Sequence, residues 1–369
     1  MAHTARANAA STTRTPPSQT RIVARHRLVP PRARAATVAP SRVWRRIDEH
    51  CTAVIDPRFD VDGADGDADG DDDGGLGPSS DDIALANYLR AESSAQREAM
   101  MRSSRREAAR FVDIRAAVDR ASAVDDAVYT LSRDGAVFLR GVVDGETCDG
   151  IMAVVHEACE AARAEYGDAL RRTDVKLAFE GDTKACWAQA CGRGGVLEIL
   201  ERMPDATAEA VMVEMSVLAT ERGADRQVLH PDASIDAEHA PLYSLFVALQ
   251  DIDMDMGPTA FVLESQGRAT HDAFPATKWG SEQFETLRGL RWCDATLRKG
   301  DAVLYDARTF HQGGANESRR RALMTATFLK PPIPPAPTRR NANGEWSIRN
   351  DVFNAMRTVR DIADMDKAS

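Results

Sequence analysis

From about residue 125 onward the sequence is cut into short strand-like runs, and no other feature constrains the fold as much. A run over 136–140 follows the turn pair Asp134-Gly135, and further runs cover 211–218, 242–250, 259–263, 302–305 and 322–329, separated by Gly, Asp and Pro. Many short strands with turn signals between them predict a jelly roll or barrel. Over 243–249 both alternating faces are mostly apolar, so this strand belongs in the middle of a sheet. A helix capped by Asp144 is expected to carry Ile151, Val154, Val155, Ala158 and Ala162 on one stripe. After Lys330 the run Pro331-Pro332-Ile333-Pro334-Pro335 stops the sheet, because proline cannot donate to a ladder. The expected class is mainly β with flanking helices, a double-stranded β-helix of the jelly-roll, cupin-like kind.

The rest of the chain divides by composition. Its 369 residues are 43% hydrophobic and 28% charged, enough for a large core. No run approaches the ~18 consecutive apolar residues of a membrane span, so none is expected. Residues 1–47 hold ten Arg and no Lys, Asp or Glu. That bias, without an apolar stretch, matches an organellar transit peptide of chloroplast or mitochondrial type; a disordered basic tail is the plain alternative. Residues 48–80 follow as an acidic Asp/Gly linker, with eleven Asp against Arg58 alone from Asp56 to Asp82. Asp65-x-Asp67-x-Asp69-Gly70 imitates the start of a calcium loop, but Leu76 stands where a bidentate Glu is required. Such dense like charge stays solvated. Residues 81–124 are expected to form a helical lead-in, 125–335 the β domain, and 336–369 a C-terminal tail with one amphipathic helix near 352–362. Outside the basic segment the chain is acidic, which argues against a nucleic-acid surface. Six scattered cysteines without a CxxC pair are read as reduced thiols.

Three pieces carry chemistry. In His230-Pro231-Asp232 an extended chain turns residues i and i+2 to one face, so an imidazole and a carboxylate can grip one ion. His311 follows the strand-like Gly300-Asp301-Ala302-Val303-Leu304-Tyr305, and Arg319-Arg320-Arg321 opens the last apolar strand. Two His and one carboxylate leave metal positions open, the ligand set of non-haem Fe(II) oxygenases. The far carboxylate of 2-oxoglutarate then needs a fixed bidentate cation, which Arg supplies better than Lys.

With those residues in view, the sequence resembles the phytanoyl-CoA dioxygenase family of 2-oxoglutarate-dependent oxygenases from about Val128 to Leu329. Leu131-Ser132-Arg133-Asp134-Gly135-Ala136-Val137-Phe138-Leu139-Arg140-Gly141 is similar to its opening "DG-strand-RG" element. Leu229-His230-Pro231-Asp232 resembles the metal motif. Met256-Gly257-Pro258-Thr259-Ala260-Phe261-Val262-Leu263 resembles the "NGPT-F-PGSH" hairpin, with Glu264-Ser265-Gln266-Gly267 in place of the final "PGSH". The stretch from Lys299 to Asn316 resembles the "GD-x-x-L-F-D-x-R-x-x-H-x-G-G-x-N" block in register. The resemblance implies that His230, Asp232 and His311 hold Fe(II), and that Arg320 anchors 2-oxoglutarate with Arg321 as the fallback. Strand alternation lets only one of the two point inward. It also implies O2 as the other co-substrate, a small-molecule substrate, and ascorbate as an optional reductant. Asp232 favours hydroxylation, since halogenating relatives lack that carboxylate.

Other candidates read more plainly. His239 precedes a strand and is read as a loop residue with metal ligation as the alternative, His156-Glu157-Ala158-Cys159-Glu160 lacks the second His of a zinc helix, and His271 is read as a loop or hairpin residue with substrate contact near the site mouth as the alternative. Cys186 and Cys191 are read as core thiols, and Tyr243 and Trp292 as core aromatics that alternatively line a pocket. Two rival functions remain: a non-catalytic jelly-roll binding protein, and a cupin-type metal-dependent hydrolase or isomerase.

Overall fold

The computed structural model describes residues 43–46, 52–55, 105–167, 171–175, 177–204, 209–227, 229–233, 235, 242–273, 289–330 and 357–367. The early strands are β1 (Val43–Arg46), β2 (Thr52–Ile55), β3 (Arg105–Glu107), β4 (Phe111–Val112), β5 (Ala136–Leu139), β6 (Arg172–Val175) and β7 (Val211–Thr220). The later ones are β8 (Leu242–Ala248), β9 (Thr259–Val262), β10 (Arg291–Asp294), β11 (Ala302–Asp306), β12 (His311–Gly313), β13 (Arg321–Leu329) and β14 (Arg357–Thr358). Helices are α1 (Arg120–Asp134), α2 (Gly145–Tyr166), α3 (Gly181–Cys191), α4 (Val196–Arg202), α5 (Arg268–Ala273) and α6 (Val359–Lys367).

Among the described residues one sheet runs β1-β2-β6-β7-β13-β8-β11-β5-β4, with β14 beside β7, and a second runs β12-β9-β10-β3. The strand over 242–248 is central as its two apolar faces predict, pairing antiparallel with β13 and β11. Its alternation divides the core. Tyr243, Leu245 and Val247 join Leu304, Met324 and Phe328 against the helical residues Ile151, Val155 and Trp187. Phe246 and Ala248 join Phe138, Val303, Tyr305 and Leu323 on the opposite face, against Phe261, Leu263 and Cys293 of the second sheet. The architecture is a mostly β jelly roll whose sheets do not close, with helices covering one face. The cap on α2 is as read from sequence: Thr147 N donates to the Asp144 side chain at 2.9 Å.

Two segments differ from expectation. The helix predicted over 81–124 is present, among the described residues, only from Arg120; β3 lies parallel to β10 and β4 parallel to β5. Open sheet edges offer unpaired backbone groups, and filling them outweighs a local helical preference. The C-terminal helix begins at Val359 and is docked, not loose: Val359, Ile362 and Ala363 are buried in the helical core, and Arg193 N donates to Asp366 Oδ2 at 3.0 Å. At the other end, β1 and β2 pair with each other and β2 meets β6 through Thr52 and Asp174. The remainder of the transit-like segment and of the Asp/Gly linker lies outside the described residues.

One ion-pair cluster fastens α1 to the second sheet. Asp134, 5% exposed, accepts from Arg133 at 2.7 and 2.5 Å and from Arg291 at 2.5 Å, and Arg291 also donates to Glu107 at 2.9 Å. Burial pushes the Asp134 carboxyl up, but the hydrogen bonds and charges of Arg133 and Arg291 outweigh it and hold the pKa below its ordinary value. A carboxylate depressed in the fold contributes stability that is complete above its unfolded pKa of ~3.9 and lost as pH falls through the folded value. Asp134→Asn should therefore lower unfolding free energy by about 1–3 kcal/mol at neutral pH and by less in acid. Denaturant titrations of both proteins at neutral and acid pH check this.

Candidate metal centre

His230 and His311 face each other as a backbone bridge. His230 N donates to His311 O at 3.0 Å and His311 N donates back to His230 O at 2.9 Å. Two residues on, Asp232 N and Ala233 N both donate to Ala307 O, at 2.7 and 2.9 Å. The segment is thus fastened at both ends, and the i, i+2 geometry turns both side chains one way. His230 Nε2 lies 3.8 Å from Asp232 Oδ1, and His311 Nε2 lies 3.6 Å from Asp232 Oδ2. One ligand atom from each residue falls within 4.8 Å of the others. His311 Nδ1 is 3.0 Å from Thr309 O, a contact that commits Nδ1 as donor and leaves Nε2 as the lone-pair nitrogen. His311 is buried, its ring stacked 5.6 Å from Phe261. Two imidazole nitrogens and a carboxylate oxygen suit a borderline divalent ion that keeps open positions.

The two arginines part company. Arg320 turns to the helix side: Nε donates to Glu221 at 2.5 Å, Nη2 to Glu160 at 2.7 Å, and Nη1 to His156 Nδ1 at 2.7 Å. That removes Arg320 from the inner face and gives His156 a surface role. Arg321, 3% exposed, points between the sheets, donating to Gly257 O and, at 3.3 Å, to Thr220 Oγ1. Its Nε has no hydrogen-bond partner, and among the described residues no carboxylate pairs with it. Burial, then the nearby Arg172 charge, push the guanidinium down to about 9, still protonated at neutral pH. Arg172 Nη1 approaches the same Thr220 hydroxyl at 3.4 Å. A desolvated cation beside a second cation is stable only if an anion joins it.

The remaining candidates fall elsewhere. His239 lies outside the described residues, His271 Nε2 contacts Arg308 O at 2.8 Å, and Cys186 and Cys191 are buried in α3. Tyr243 faces the helices and Trp292 is fully buried on β10, so neither reaches the centre. Tyr305 does reach it, its hydroxyl donating to Asp232 Oδ2 at 2.6 Å.

A family model described as phytanoyl-CoA dioxygenase matches residues 131–323, just over half of the chain and spanning His230, Asp232 and His311. The chain belongs to this family. Membership puts it among the Fe(II)/2-oxoglutarate-dependent enzymes, and the donor set fits that ion. No curated protein matches the sequence. Similar solved structures include the non-haem α-ketoglutarate-dependent epimerase SnoN from nogalamycin biosynthesis, at 21% identity and TM-score 0.42, covering 57% of this chain and 84% of that one. The carbocyclase SnoK of the same biosynthesis is 18% identical with TM-score 0.40, covering 56% and 83%. AviO1 from Streptomyces viridochromogenes Tue57 is 17% identical with TM-score 0.45, covering 60% and 100%.

Where the family pattern ends in "PGSH", this chain makes a tight turn with polar residues of its own. Glu264 has φ 66°, the left-handed conformation a glycine takes without strain. Ser265, fully buried, donates to Val262 O at 2.6 Å and accepts from Phe310 N at 2.8 Å. A left-handed non-glycine residue costs about 1–2 kcal/mol, offset here by Glu264 Oε1 accepting from Arg291 at 2.5 Å and Glu264 N donating to Asp134 O at 2.9 Å. Ser265 holds the residue that precedes the metal-side His311. Ser265→Ala strands a buried N–H and should cost about 1–3 kcal/mol, read by thermal and denaturant unfolding, with weaker divalent-metal retention on dialysis.

Proposed function

We propose that the protein is a dioxygenase that hydroxylates an unactivated C–H bond of a small organic or lipid-like molecule, with His230, Asp232 and His311 as metal ligands and Arg321 as the 2-oxoglutarate anchor. The observation that carries the reading is the pairing of a three-ligand face with a buried guanidinium that lacks a carboxylate partner among the described residues. When bound, ferrous iron supplies O2 activation coupled to oxidative decarboxylation of 2-oxoglutarate to succinate and CO2.

The chain's own residues do the rest. His230, Asp232 and His311 present their donor atoms on one side and leave the other side for co-substrate and O2. Arg321 meets the distal carboxylate with a planar fork, and the Thr220 hydroxyl beside it offers a further hydrogen bond. Arg172 adds positive charge at the same hydroxyl, which favours a dicarboxylate over a monocarboxylate. Phe246, Phe261 and Tyr305 pack around His311 and keep water from the metal's protein side. A cupin-type hydrolase has less support, because among the described residues no third histidine joins the cluster.

Succinate release from anaerobically loaded enzyme on admission of O2 tests the reading. Asp232→Ala should abolish iron-dependent succinate formation. Arg321→Met should raise the half-saturating 2-oxoglutarate concentration roughly 10–100-fold, the loss of a charge-assisted bidentate contact. Arg320→Met should leave it within about twofold once any stability loss is accounted for. If Arg320→Met proves the more damaging to 2-oxoglutarate binding, the anchor assignment is wrong.

A further inference from the structure

The carboxylate ligand has its own orienting group, and it is a residue the family block does not supply. In the pattern "GD-x-x-L-F-D-x-R" this chain carries Tyr305 where Phe is written. The ring alone would serve for packing: it is fully buried, 4.9 Å from Phe246, 5.1 Å from Phe261 and 5.1 Å from His311. A hydroxyl added in such surroundings is costly unless it finds a partner. Its partner is Asp232 Oδ2, at 2.6 Å.

The hydroxyl does not stand alone. Tyr305 lies opposite Ser244 across β11 and β8, and the Ser244 side chain hydrogen-bonds to it. Ser244 lies opposite Thr327 across β8 and β13, with Oγ and Oγ1 3.2 Å apart. Three neighbouring strands thus contribute a row of hydroxyls on the inner face, ending at the Asp232 carboxylate. Each bond in the row restricts the rotation of the next.

We propose that Tyr305 is a positioning residue of the metal centre: its hydroxyl fixes the plane of the Asp232 carboxylate, so that the carboxylate ligates without swinging across positions needed by co-substrate and O2. It does for Asp232 what the Thr309 carbonyl does for His311. The proposal rests on Asp232 being a ligand, the reading given above.

The test is Tyr305→Phe, which keeps the ring and removes one oxygen. Purified full-length protein is titrated anaerobically with Co(II), following the visible d–d bands. Tyr305→Phe should weaken Co(II) binding roughly 10–100-fold, the usual effect of losing an outer partner of a metal ligand, and should shift the bands. In an Asp232→Ala background the same change should cost nothing further, because the hydroxyl acts through that carboxylate. Affinity within twofold of wild type with unchanged bands would overturn the proposal, as would an equal loss in both backgrounds, which is the mark of a packing effect. Should wild-type protein bind no Co(II), the ligand assignment and the positioning role fall together. If wild type binds and Tyr305→Phe binds equally well, only the positioning role falls.

Discussion

The reciprocal backbone pairing of His230 with His311 is the contact on which the rest of the site depends. It joins positions far apart in sequence, so the chain meets a loop-closure cost that only the surrounding sheets can offset. Once the bridge forms, the neighbouring residues have little freedom left. The paired donors of Asp232 and Ala233 on Ala307 O extend the match by two positions. Strand geometry then turns Asp232 to the side His230 already faces. A side-chain cluster assembled by backbone bonds does not depend on long side chains finding one another.

Alternation along β13 makes a second decision of the same kind. Adjacent arginines at its start have opposite fates, because successive side chains leave a strand on opposite faces. Arg320 is neutralised by Glu160 and Glu221 on the helix side. Arg321 is enclosed between the sheets with a backbone carbonyl and a hydroxyl. Leaving a cation in that position lowers stability unless an anion joins it. The inner face carries further polar groups, such as Ser216 and Thr325, whose hydroxyls lie 3.1 Å apart. The inner face therefore offers hydrogen-bonding groups at Ser216 and Thr325 and apolar contact at Phe246 and Phe261.

Much of this was readable from local pattern. The runs over 211–218, 242–250, 259–263, 302–305 and 322–329 became β7, β8, β9, β11 and β13 with ends shifted by a residue or two. Period-two burial is a local property, and so is the i, i+2 spacing of His230 and Asp232. What stayed hidden depends on partners distant in sequence. The strands at 105–107 and 111–112 exist because β10 and β5 present edges to them. Which arginine faces inward depends on the register of β13 against β7, and charge alone favours neither. Nothing local marks Tyr305, because its significance lies in one oxygen meeting a carboxylate from another segment.

The motif residues that never approach the metal explain why the blocks come in fixed spacing. β5 and β11 pair directly, and the two ends of the opening element hold the two ends of the later block. At one end Asp301, 1% exposed, accepts from Arg140 at 2.6 Å and from Gly141 N at 2.8 Å. At the other, Gly135 O accepts from Asp306 N and from the Thr309 hydroxyl, both at 2.9 Å. Asp306 in turn accepts from the backbone and side chain of Arg308, shaping the turn that delivers His311. The position of the second histidine is therefore set by a strand more than 150 residues earlier, through bonds that carry no chemistry of their own. Shortening either block by one residue would invert the side-chain faces beyond it and turn His311 away from His230 and Asp232. The spacing of these residues is a condition of the His230–Asp232–His311 cluster as strict as the identity of its members.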